Sequence, residues 1–149
     1  MAARTLRPLI CALVLACGVA GGGARAGTDC ETPCTLDLAH PHARRNVGSA
    51  LAAPERVKFI QVDVLAVENP HRIPLSFVVH YVPGHGDAVV LGSFSLFPPD
   101  QPGRFIVATG GRLRSGGAVR VSLEPLASVG EDAGLRVRLG GIAFVDARS

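Results

Sequence analysis

The chain has 149 residues, a formal charge of +3 from 15 basic and 12 acidic side chains, 48% hydrophobic residues, no tryptophan and only four cysteines. This is enough chain for one ordinary domain with a single core. The excess charge is not gathered into a basic patch with interleaved aromatics, so nucleic-acid binding is not expected.

Residues 1–26, "MAARTLRPLICALVLACGVAGGGARA", set Arg4 and Arg7 before an apolar run from Leu9 to Ala20 and end on Ala24-Arg25-Ala26. That order is a secretory signal pattern, and the run is too short to span a bilayer. Cleavage is expected before Gly27, with the product periplasmic or secreted and without a transmembrane span. An alternative is a lipid anchor on Cys17, at the end of "VLAC". Three of the basic residues leave with the signal, so the exported chain is formally neutral.

Residues 27–54 show little periodicity and read as an irregular lead-in, ahead of a β-domain over 55–149. The lead-in holds "TDCETPCTLDLAHPHARR", with Cys30, Cys34, His40 and His42. A thiol pair in an oxidising compartment is expected to form a disulfide. The same four residues could instead form a soft tetrahedral site for copper or zinc, although their spacing is not that of a zinc finger. The expected cofactor is none, with copper or zinc as the alternative.

From Glu55 onward the pattern is that of strands. "VKFIQVDVLAVE" (57–68) places Ile60, Val62, Val64 and Ala66 on one face. "IPLSFVVHYV" (73–82) follows the turn "NPHR", and "AVVLGSFSLF" (88–97) follows "PGHGD". After "RFIVAT" (104–109), "AVRVSLEP" alternates Val119, Val121 and Leu123 with Arg120, Ser122 and Glu124. "LRVRLGGIAFV" alternates Leu135, Val137 and Leu139 with Arg136 and Arg138, then shifts to Ile142 and Phe144 after two glycines, which predicts a bulge. About six strands with turn residues between them predict an all-β antiparallel sandwich or flattened barrel. With so few aromatics, the core is expected to rest on aliphatic packing.

Catalytic signals are sparse. There is no G-x-S-x-G, and the glycine-rich "ATGGRLRSGG" lacks the Lys-Ser/Thr of a phosphate loop. The one adjacent acid pair, Glu131-Asp132, sits in a Gly-flanked loop. His71 and His85 read as exposed turn residues, with a loose surface metal site as an alternative, and His80 as a strand residue with a satisfied hydrogen bond. No catalytic residue is expected, and the chain does not read as an enzyme.

"VLGSFSLFP", "AVRVSLEPL" and "VRLGGIAFV", in that order, resemble the strands of the C-terminal KFDV-type β-domain of the polyphenol oxidase (tyrosinase) family. Gly92-Ser93-Phe94 with Leu96 and Pro98 match one strand of that domain, and Val119, Val121, Leu123 and Pro125 the next. Leu139-Gly140-Gly141-Ile142 match the last, and "VKFIQVDV" stands where K-F-D-V would be. The resemblance covers residues 56–146 and leaves out the family's copper domain. It implies a module that shields or binds a partner, with no copper ligand of its own. The partner it implies is a protein, such as a separately encoded copper oxidase. The alternatives are a small exported copper or zinc carrier using the Cys/His cluster, and a structural envelope protein or lipoprotein.

Overall fold

The computed structural model describes residues 28–30, 33–48, 51, 53–130 and 133–146. The expected signal segment, Cys17 and the Glu131-Asp132 pair lie outside them. Among the described residues nine strands form two packed sheets: β1 (Thr28–Asp29), β2 (Cys34–Asp37), β3 (His42–Asn46), β4 (Val57–Glu68), β5 (Leu75–Val82), β6 (Val89–Ser95), β7 (Gly103–Ala108), β8 (Ala118–Pro125) and β9 (Arg136–Asp146). One sheet runs β1-β3-β8-β5-β6 and the other β2-β9-β4-β7. All pairings are antiparallel except β1 with β3. The architecture is the expected β-sandwich.

The six strands read from periodicity appear as β4 to β9. The segment expected to be an irregular lead-in contributes three more strands, one on the five-stranded sheet's edge, one beside β8 and one on the edge of the other sheet. Cys30, Leu36, Ala43 and Val47 are at most 1% exposed and belong to the same core as β4 to β9. The short segments "CTLD" and "HARRN" have too few apolar residues to show alternation. They are strands because β9 and β8 offer them a ladder.

Alternation places Val119, Val121 and Leu123 of β8, and Val137 and Leu139 of β9, between the sheets. The glycine pair produces the expected bulge: Asp63 pairs with Gly141 but Val64 pairs with Leu139, leaving Gly140 extra on β9. Gly140 is also covered by Leu65, whose side-chain carbons would stand 3.0–3.2 Å from any Cβ there. A second irregularity follows between Val64 and Ala66, so Val67 rather than Ala66 turns toward the core. The uninterrupted face expected through Ala66 therefore ends at Val64.

Aromatic packing contributes more than the composition suggested. Phe77 and Phe94 of the five-stranded sheet stack at 4.9 Å, and Phe94 stacks on Phe105 of the other sheet at 4.2 Å. These three rings join the sheets on the side where β6 and β7 are edge strands. The turn after β4 is held by Asn69, whose amide donates to the carbonyls of Ile73 and Pro99 and whose Oδ1 accepts the Ile73 N–H at 2.9 Å.

Candidate functional site

Cys30 ends the β1 segment in one sheet and Cys34 opens β2 in the other, so the chain crosses between sheets inside this small loop. The two sulfurs lie at bonding distance, 2.08 Å, with Cα atoms 5.5 Å apart. The Cys30 N–H donates to the Arg44 carbonyl of β3, while the Cys30 carbonyl accepts the Ile142 N–H of β9. The disulfide thus closes the crossover at a residue already bonded to both sheets. Cys30 is wholly buried and Cys34 8% exposed.

The histidines of the same stretch lead elsewhere. His40 is exposed, and its N–H donates to Asp37 Oδ1 at 2.6 Å with its ring Nδ1 at 3.2 Å from the same oxygen. The backbone hydrogen bond from His40 is the main reason the Asp37 carboxyl is held below the usual carboxylate range. His42 Nδ1 lies 3.1 Å from Ser122 Oγ on the outer face of the five-stranded sheet. Among the described residues, no group of three or more His, Cys, Asp or Glu side chains converges. The four residues considered as a metal set are therefore one disulfide and two histidines with separate partners.

His71 and His85 are exposed in the turns on either side of β5, at opposite ends of that strand. His80 lies in β5 as expected, with the Val78 backbone as a hydrogen-bonding neighbour, while its Nδ1 is buried without a partner between Val90 and Arg120 in the cross-strand register. Burial, followed by the Arg120 charge, lowers its pKa from the ordinary 6.5. The Ser122–His42 contact was not legible in the sequence, since it joins residues 80 positions apart. It brings a hydroxyl to an imidazole, yet Ser122 is only 3% exposed and acts as a packed hydrogen-bonding group.

Arg45 was also missed. It points from β3 toward the space between the sheets, donates through Nη1 to the Ile142 carbonyl, and lies with its guanidinium 4.9 Å from the Phe144 ring centroid. This adds a cation–π contact to the crossover clamp.

The two outer faces contrast. On the four-stranded sheet, Val145, Phe59 and Ala108 lie in one cross-strand row, and Ala143, Gln61 and Ile106 in the next. Phe59 is 38% and Ile106 58% exposed. Toward the other end, Thr35, Ala66, Glu68, Arg136 and Arg138 line a surface hollow of about 260 Å³. The five-stranded sheet presents serines, histidines and arginines together with Val78 and the exposed Val90. Among the described residues no helix is long and apolar enough to cross a membrane. No protein-family model, no curated protein and no solved structure matches the chain.

Proposed function

We propose that this is an exported, non-catalytic β-sandwich module that binds a protein partner through the outer face of its four-stranded sheet. The observation that carries this reading is the outward apolar group of exposed Phe59, Ile106 and Ala108 with half-buried Ala143 and Val145 around Gln61. These residues sit in cross-strand register on the sheet's outer face, where a solvent-facing surface would ordinarily alternate to polar side chains. The signal pattern of residues 1–26 supports export. The resemblance to the tyrosinase-family β-domain supports a copper oxidase as the partner and a shielding role over its active site.

The test measures affinity between the mature chain and a copper oxidase secreted by the same cell, using wild type and Ile106→Asp. Ile106 is exposed, so the substitution should change stability by no more than about 0.5 kcal/mol. Replacing a central apolar side chain at an interface costs about 1–3 kcal/mol, so binding should weaken at least about tenfold. Equal affinity of the two proteins would remove this face from the interface. Absence of any complex with wild type would remove the copper oxidase as partner.

A further inference from the structure

The opposite face of the sandwich, independent of the partner-binding reading, carries a second arrangement. In the β3–β8–β5 ladder Arg44 pairs with Arg120, and Arg120 pairs with His80. Paired residues project on the same side, so two guanidinium groups and an imidazole form one row on the outer face of the five-stranded sheet. Neighbouring strands are about 4.8 Å apart, which spaces the row over about 10 Å. Like charges directly opposite on a sheet are destabilising, and packing gives no reason for this choice at outward positions.

The row carries two guanidinium charges, with Asp29 set opposite Arg44 at one end by the backbone register and Glu124 near enough on β8 to act on His80. The ion pairs among the described residues lie elsewhere, at Asp37–His40, Asp100–Arg72 and Asp63–Arg104. Glu124 stands four residues along β8 from Arg120, the backbone register sets Asp29 opposite Arg44, and β6 contributes only Val90 and Ser93 to the adjoining positions. Arg112 is engaged with the Val90 carbonyl. His42, in the next row, contacts Ser122. Only three side-chain polar atoms among the described residues are buried without a hydrogen-bond partner, and two of them, Arg120 Nε and His80 Nδ1, are neighbours in this row.

We infer that Arg44, Arg120 and His80 form a binding site for the phosphate or sulfate group of a small soluble molecule. A guanidinium presents a planar fork of N–H donors that matches such oxyanions, and two of them side by side can share one group. A bound oxyanion also offsets the repulsion within the row. His80 adds a donor from its ring, in the neutral form or when protonated.

The experiment follows the His80 ring resonances of the mature chain by NMR during titration with sodium phosphate and sodium sulfate, with sodium chloride at equal ionic strength as control. The site requires saturable shifts with phosphate or sulfate, a raised His80 pKa in the complex, and no such response to chloride. Arg120→Gln should weaken the oxyanion at least tenfold while its melting temperature, by relief of like-charge repulsion, is no lower than wild type. Arg44→Gln, at an exposed position, supplies the same test should Arg120→Gln fail to fold. A response identical to chloride would overturn the inference, as would unchanged affinity in a folded Arg variant. So would Arg120-dependent capture by phosphatidylglycerol vesicles without any response to phosphate or sulfate, which would assign the row to a membrane surface.

Discussion

His80 shows how one side chain can go against its own residue type. An outward-facing strand histidine ordinarily titrates freely, but here burial and the adjacent Arg120 favour the neutral ring. The sign of the consequence follows from the depressed pKa. The folded state holds fewer protons than the unfolded chain between the lowered value and 6.5, so this contribution to stability is complete above pH 6.5 and is lost as pH falls through the folded pKa. Urea unfolding in chloride buffer should show stability declining across that window, and His80→Gln should flatten that part of the profile. A slope unchanged in the variant would mean that other groups cause it. Gly117 illustrates a constraint of a different kind. A Cβ there would lie 2.5 Å from the Tyr81 ring and hydroxyl, so glycine lets Tyr81 OH reach the Arg114 carbonyl.

Among the elements, the short N-terminal strands and their disulfide form one device. β1 and β3 extend one sheet, β2 edges the other, and the bond between Cys30 and Cys34 holds the crossover. Closing so small a loop contributes about 2 kcal/mol by restricting the unfolded chain. Cys30→Ser with Cys34→Ser should therefore lose about 2 kcal/mol in chemical denaturation, or somewhat more because a buried hydroxyl replaces the Cys30 sulfur. A change within error would show that the Arg44 and Ile142 hydrogen bonds hold the crossover unaided. The strands β4, β8 and β9 were legible in the sequence because each carries an alternating apolar run, over 60–64, 119–123 and 135–139. "HARRN" gave no such signal: its buried member is Ala43, and Arg45, facing inward, is polar. The disulfide was legible from the expectation of export and the cysteine count. The Arg44–Arg120–His80 row was not, because cross-strand register joins residues that have no relation along the chain.

At the scale of the whole molecule, the sandwich has one outer face with an apolar group around Phe59 and Ile106 and another with arginines, histidines, serines and Val90, and Cys30, Leu36, Ala43 and Val47 belong to the core between them. The β9 bulge bends one sheet, and the stacked phenylalanines join the two. On the proposed reading the Cys30–Cys34 pair is a structural clamp, against the alternative of a thiolate metal centre. The most direct test is the intact mass of the protein isolated from its exported location, with thiol labelling and elemental analysis on the same sample. The expected result is a chain beginning at Gly27, two hydrogens lighter than the reduced form, with no label on Cys30 or Cys34 and no stoichiometric copper or zinc. Two labelled thiols after denaturation together with one metal ion per native chain would contradict it and make the Cys/His stretch the functional centre.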